Sequence, residues 1–392
     1  MNRIFWIIAL VAFINSLSFT ILIPIIYIYS KQFGLSDFHT SLLFSTYAIA
    51  QFFATPVIGK LSDRFGRKPL LIISLAGTVI ANFFAGTATA AITLFLARFL
   101  DGITGGNNAV AQAMISDVTE PERRAQGFGI YGAAMGLGFV LGPATSLAAQ
   151  QISLGAAFLV SASVAMIGLV ITLLFLPETL KSQDHLANNN IFDLGLDNLV
   201  KGLAIPKIGI LLIINFFIGT TFTVFTFAFQ PYFIKVLKQN SESLTLMFLT
   251  FGALGVIMQT WGVKILSQYL NEVKILLLSL CVRSFSFLLM PVFPIASYFV
   301  VVSIVFSLFN SLVQPMINTL ISLNAKPAQQ GTALGLNSSY LSVSNGVGPV
   351  IAGVLVNQNY PQTYSYPLYL AGILTFLVLL FAITNRNKYI PE

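Results

Sequence analysis

The sequence predicts an all-α integral membrane fold: twelve transmembrane helices in two pseudo-symmetric six-helix halves. Composition is the first reason. Of 392 residues, 56% are hydrophobic and 8% are charged, where a soluble domain carries roughly 25% charged residues. Length is the second. A spanning helix needs about 20 apolar residues, and with short loops the chain has room for twelve. The third is a lopsided placement of Lys and Arg around the apolar runs.

Each span is an apolar run bounded by polar or charged residues. The first is Ile4–Tyr29. It continues past Pro24 without a small-residue cleavage site, so it reads as a retained span, not a removed signal peptide. Ser41–Gly59 is the second and ends at a cluster of charges. Leu70–Thr87 and Ala91–Ile115 follow. The fifth, Gln126–Ala149, is rich in glycine, and the sixth, Ala156–Leu176, stops at Pro177. Ile208–Gln230 and Leu244–Leu266 flank the polar stretch KQNSES. Lys274–Met290, Ser297–Leu323, Gly331–Val356 and Leu368–Thr384 complete the set.

On these spans, Arg98 and Arg283 lie inside, and Lys31, Lys235 and Lys238 fall on one side. The other fifteen of the 20 Lys and Arg fall on the opposite side. Short loops rich in Lys and Arg stay in the cytoplasm. Both termini are therefore expected there, in a multi-pass protein of the plasma (bacterial inner) membrane. The net charge of +7 is spent on topology, which excludes a nucleic-acid reading. Cys281 is the only cysteine, so it makes no intrachain disulfide and reads as packing. His39 and His185 are far apart in expected loops. No metal-ligand spacing and no Ser-His-Asp set can be assembled, so neither enzyme activity nor a metal or cofactor is expected. No G-x-x-x-x-G-K-[ST] loop occurs, which argues against ATP as the energy source.

Polar residues from Lys181 onward suggest a cytoplasmic linker over 181–204, between halves at 1–180 and 205–392. Paired halves are common in transporters, and an offset of 206 residues aligns them. Ile115, Ser116, Pro121, Gly129, Gly142 and Pro143 fall on Ile321, Ser322, Pro327, Gly335, Gly348 and Pro349.

Three motifs carry a family resemblance. GKLSDRFGRKP, Gly59–Pro69, resembles the loop between the second and third helices of the major facilitator superfamily, G-x-x-x-D-R-x-G-R-[KR]. LFLARFLDGITGG, Leu94–Gly106, is similar to its fourth-span pattern R-x-x-x-G-x-x-G. GLGFVLGP, Gly136–Pro143, resembles the fifth-span G-x-x-x-G-P of the drug:proton antiporter branch. Through Pro177–Thr179, the first half resembles tetracycline-type efflux pumps. The resemblance implies the major facilitator fold and proton-coupled efflux by alternating access. Departures bear on cargo: Asn15 and Ala81 stand where tetracycline pumps have Asp, and Ser146–Leu147 replace the paired glycines of the fifth span.

The same resemblance makes the Gly59 segment a gate. Asp63 would face the positive N-terminus of the eleventh helix near Gly331, and Arg67 would pair with Asp117, with Gly59, Arg64 and Gly66 completing the motif. The other reading is a basic topology loop, which leaves its central acid unexplained. Gly138, Gly142 and Pro143, with Gly136, would give a tight, bent contact with the second half that limits leak, or ordinary helix packing.

Charges inside the bilayer mark function by default. Arg98 and Asp101, three residues apart, share a helix face. Burial disfavours the ionised acid and a neighbouring Arg favours it, a balance suited to proton coupling; a static packing pair is the alternative. Arg283 has no acid at i±3 or i±4. It would bind an anionic group of the substrate, meet carbonyls and Asp101, or snorkel. Buried amides need partners. Asn15, Gln51, Asn108 and Gln112 in the first half, and Asn215, Asn310 and Gln314 in the second, would line a substrate cavity. Ser16, Asn107, Thr220, Asn318 and Asn337 accompany them, or any of these serves as interhelical glue.

The expected function is a secondary active transporter exporting small amphipathic compounds. Its expected partners are a small-molecule substrate, protons and the lipid bilayer, with no nucleic acid, and it is expected to be a monomer. Two intramembrane cations against one acid also suit an anionic or zwitterionic metabolite or siderophore. A transporter-derived receptor or enzyme is a third class, with no catalytic cluster to support it.

Overall fold

Lipid supplies no hydrogen-bond partners, so a chain this apolar must satisfy its backbone within helices. The computed structural model describes residues 3–120, 123–180, 196–325 and 330–389, and among them no strand occurs. In the first half, α1 (Arg3–Leu22) and α2 (Ile26–Gln32) share a span interrupted at Pro24. α3 (Asp37–Phe65), α4 (Arg67–Gly86), α5 (Ala91–Ile103), α6 (Asn107–Val118), α7 (Arg124–Gln150) and α8 (Leu154–Phe175) follow. After the short α9 (Leu196–Leu203) come α10 (Ile208–Pro231), α11 (Ser241–Ile257) and α12 (Val263–Leu266). The last four are α13 (Glu272–Leu289), α14 (Ala296–Asn324), α15 (Gln330–Leu355) and α16 (Tyr366–Thr384).

Nine described segments are long and apolar enough to cross a membrane. The other three spans of the twelve-helix fold depart from that standard for identifiable reasons. α5 and α6 divide the fourth span at Thr104–Gly106. α13 carries Glu272, Lys274 and Arg283. α15 is diluted by Gly, Ser and Asn.

The helices correct three expectations. Gly59–Pro69 is not a loop: α3 continues to Phe65 and α4 starts at Arg67. Lys60, Leu61, Asp63 and Arg64 sustain a helix, and only Gly66, at φ +105°, turns the chain in a conformation that glycine adopts at little cost. The second span begins at Asp37, not Ser41, so His39 lies on a helix. The fourth span is discontinuous, because adjacent Gly105 and Gly106 follow Thr104. Of the expected linker, 181–195 lies outside the described residues. Its final part is α9, whose Leu199 packs on a buried core.

The chain divides into two compact units. One comprises the described parts of 1–35 and 46–194; the other comprises 36–45 and those of 195–392. The first centres on Phe5, Ile8, Leu71, Leu75, Met114 and Ile115. The second centres on Leu211, Ile214, Leu276, Leu312, Leu320 and Ile321. Ile115 and Ile321, matched by the 206-residue offset, are both fully buried.

Candidate functional site

In the first unit, the α5 helix places Arg98 and Asp101 one turn apart, facing inward. Arg98 is 6% exposed and Asp101 5%, and Arg98 Nη1 donates to Asp101 Oδ2 at 3.0 Å. The guanidinium stacks on the Tyr47 ring, 4.2 Å from its centroid. Gln51 Nε2 donates to the Tyr47 hydroxyl at 2.9 Å and to the Gly105 carbonyl at 3.0 Å. Gln51 therefore ties the charged pair to the break between α5 and α6. The arrangement holds one titratable acid, one fixed cation and a backbone discontinuity in a single buried cluster.

The break also starts α6, where the amides gather. Asn107 Nδ2 donates to Asn15 Oδ1 at 2.7 Å, and Asn15 Nδ2 donates to Asn108 Oδ1 at 3.3 Å. The Tyr131 hydroxyl donates to Asn108 Oδ1 at 3.1 Å. The second unit gathers polar side chains at the same places, with a different hydrogen-bond pattern: at the 206-residue offset Asn108, Gln112 and Tyr131 fall on Gln314, Asn318 and Asn337. There Asn337 Nδ2 and Gln314 Nε2 both donate to Asn318 Oδ1, at 2.9 and 3.1 Å. In each unit the three members are half-buried, exposed and buried in the same order. Asn215 is fully buried and donates to Asn337 Oδ1 at 2.6 Å. Thr220 bonds its own helix at the Phe216 carbonyl, and Asn310 is half-buried on α14.

Arg283 is 1% exposed. Its Nη2 donates to the Ile218 carbonyl at 2.7 Å and to Thr221 Oγ1 at 2.8 Å, and its guanidinium lies 5.3 Å from the Phe287 ring centroid. Among the described residues Nε has no hydrogen-bond partner. The expected carbonyl contact is present; snorkelling is contradicted, because the side chain is enclosed. No acid pairs with it among the described residues.

At the α3–α4 turn, Arg67 pairs with Asp63 one helical turn back. Its Nη1 donates to Ser62 Oγ at 2.7 Å and its Nε to Asp117 Oδ2 at 3.3 Å. Arg64 lies over the Phe65 ring at 5.4 Å. Gly59 faces open space. The small-residue face of α7 is occupied within its own unit: a Cβ on Gly138 would meet Ser16 at 2.6 Å, and one on Gly142 would meet Thr20 Oγ1 at 2.0 Å. Of the two expected readings of Gly138 and Gly142, close helix packing is present, against α1. Thr20 Oγ1 donates to the Gly138 carbonyl at 2.8 Å, a bond that needs close backbones. Pro143 lies within α7, buried. The second unit repeats the contact: Thr223 Oγ1 donates to the Ser344 carbonyl at 2.9 Å, and a Cβ on Gly348 would meet Thr223 Oγ1 at 2.0 Å.

Two charged clusters escaped the sequence reading. Asp37, 1% exposed, accepts from Lys235 Nζ at 3.0 Å and from the Tyr364 hydroxyl at 2.7 Å, all within the second unit. A span drawn from Ser41 left this acid outside, although Asp in a first helical turn marks a helix start. The other is Glu178. Burial raises its pKa, but four backbone N–H donors, from Leu180, Arg67, Lys68 and Thr179, outweigh that and hold it below the ordinary value of 4.5. Nothing in its sequence position, 111 residues from Arg67, announces that contact.

The Major Facilitator Superfamily profile matches residues 8–205 and 211–391. Tetracycline resistance protein, class B, of Escherichia coli is 27% identical over 367 residues, 90% of this chain and 88% of that one. Multidrug resistance protein 1 of Bacillus subtilis (strain 168) is 26% identical over 365 residues, 92% of each chain. Among solved structures, an inward-facing bacterial homolog of the human lysosomal transporter Spinster superposes with a TM-score of 0.80 at 14% identity. That match covers 99% of this chain and 98% of the other, and it speaks to the fold alone.

Proposed function

The chain belongs to the major facilitator superfamily, and from that premise we propose that it is a proton-coupled exporter of small amphipathic compounds, working by alternating access in the inner membrane with both termini cytoplasmic. The buried Arg98–Asp101 pair carries this reading. A carboxylate 5% exposed in a membrane-spanning segment is costly, and its value lies in gaining and losing a proton. Asp101 is the proton carrier, and Arg98 is the cation that pairs with it in the ionised state. The full-length similarity to tetracycline and multidrug resistance proteins supports cargo of the drug class.

The two polar triads are the cargo-reading groups. They offer neutral donors and acceptors, which suit chemically varied compounds. Asn15 and Ala81, where tetracycline pumps have Asp, argue against tetracycline as the preferred cargo. Asp63, Arg67 and Asp117 form the gate, which opens and closes as their ion pairs exchange. Expression in a bacterial strain stripped of its own efflux pumps tests the proposal. Ethidium and norfloxacin should accumulate less in expressing cells, and dissipating the proton gradient should erase the difference. Equal accumulation with and without the protein, across a panel of cationic, neutral and zwitterionic drugs, would contradict it.

A second reading concerns cargo charge. Arg283 is a buried cation bonded to neutral dipoles and unpaired by any acid among the described residues. An anionic group on the cargo would supply the missing charge.

A further inference from the structure

The α3–α4 turn has a need that its gating residues do not meet. A helix start leaves amide N–H groups unpaired. Gly66 precedes α4 and has no side chain to offer, and α4 has no side-chain cap at that position. The matching helix of the second unit, α13, caps itself: Asn271 Oδ1 accepts from Lys274 N at 3.0 Å. In α4 the amides are taken by a distant acid. Glu178 Oε1 accepts from Arg67 N at 3.0 Å, and Oε2 accepts from Lys68 N at 3.1 Å.

The carboxylate is itself anchored. Glu178 Oε1 also accepts from Thr179 N at 2.8 Å and Leu180 N at 2.9 Å. A Cβ on Gly66 would stand 2.5 Å from Glu178 Oε2, so the glycine leaves the room that the acid occupies. The next residue reaches the other partner of Arg67: Thr179 Oγ1 donates to Asp117 Oδ2 at 3.0 Å, the same oxygen that accepts from Arg67 Nε. Two consecutive side chains after α8 thus hold both ends of one ion pair.

We propose that Glu178 and Thr179 form a clasp that positions Arg67 for gating. Glu178 fixes the backbone of Arg67, and Thr179 fixes the acid that its guanidinium meets. The clasp touches no cargo, and it sets how fast the gate cycles. It rests on the reading of Asp63, Arg67 and Asp117 as a gate. A carboxylate suits the task because helix-start amides carry partial positive charge. A glutamine would turn an NH2 group toward one of the donors.

The test has two arms in purified protein. Amide-resolved hydrogen exchange should show Arg67 N and Lys68 N protected in the wild type and faster in Glu178→Gln. In proteoliposomes, Glu178→Gln should lower kcat for ethidium about five- to tenfold at unchanged KM. Thr179→Val should also lower kcat, without speeding exchange at those two amides, and Thr179→Ser should restore it. Because both residues act through Arg67, the double variant should be no slower than the slower single. Unchanged exchange in Glu178→Gln, or losses that multiply in the double variant, would overturn the clasp. The exchange arm needs no cargo. A wild type that fails to move ethidium would count against the export reading and leave the clasp to be judged by exchange.

Discussion

Arg98 and Asp101 form a closed ion pair inside the membrane-spanning region, Nη1 to Oδ2 at 3.0 Å, with both side chains 7% exposed. The guanidinium face not used by the acid stacks on Tyr47. A buried pair of this kind gives little net stability, because desolvation offsets the attraction. Its presence in a transporter is better explained by exchange of charge states. Losing the acid's charge would leave Arg98 with the ring of Tyr47 as its neighbour.

Removing the charge of Asp63 should cut transport without preventing insertion. Asp63 pairs with Arg67, which also bonds Asp117 and Ser62. Asp63→Asn leaves the helix intact but releases one of three partners. Initial rates of ethidium export, normalised to folded protein in the membrane, check this. Wild-type rates in a well-folded Asp63→Asn protein would remove the residue from the gate.

Glycines that look alike in sequence should behave differently. Gly142→Ala places a methyl group 2.0 Å from Thr20 Oγ1 and 2.8 Å from the Thr20 backbone. Overpacking of this sort costs roughly 1–3 kcal/mol. Gly136→Ala meets nothing within 4 Å and should be neutral. The midpoints of thermal unfolding in detergent separate the two. Equal midpoints would mean that α1 and α7 are not in this close contact.

The folded state holds the Glu178 pKa below 4.5. A depressed carboxylate contributes stability that is complete above its unfolded pKa and is lost as pH falls through the folded value. The wild type should therefore exceed Glu178→Gln in Tm at neutral pH, and the gap should close in acid, below pH 4.5. A gap that stays constant into acid would assign the difference to shape instead of charge.

Arg283→Ala should weaken binding of an anionic dye such as fluorescein more than binding of cationic ethidium. Among the described residues the cation hydrogen-bonds only to Ile218 and Thr221, both on α10. Truncation removes a positive charge and also a tie between α13 and α10. Equal losses for both dyes would leave only the tie.

The fold was readable because bilayer thickness and charge asymmetry act on composition, and composition is what a sequence displays. The repeat was readable for the same reason: Gly142 and Gly348 recur because the same close helix contact recurs. The Arg98–Asp101 pair followed from helical spacing alone. Long-range contacts were not readable. The face of Gly142 was expected to meet the second half or to serve ordinary helix packing, and its neighbour Thr20 was not foreseen, because a small residue announces closeness without naming its neighbour. Asp37 was missed because four residues of α3 were left outside the span. Glu178 was missed because trans capping depends on tertiary placement and leaves no periodic trace. The Gly59 segment read as a loop since charges usually mark loops, although Lys and Arg are good helix formers and extend a helix into water at little cost.

The most direct test of proton coupling uses Asp101→Asn in proteoliposomes with an imposed pH gradient and ethidium as cargo. Asn keeps the size and one carbonyl acceptor but cannot exchange a proton. The account predicts that gradient-driven accumulation is abolished while downhill exchange of cargo continues, which would show that the binding and gating machinery survives. Uphill accumulation persisting in Asp101→Asn would contradict the account and move proton coupling to another acid.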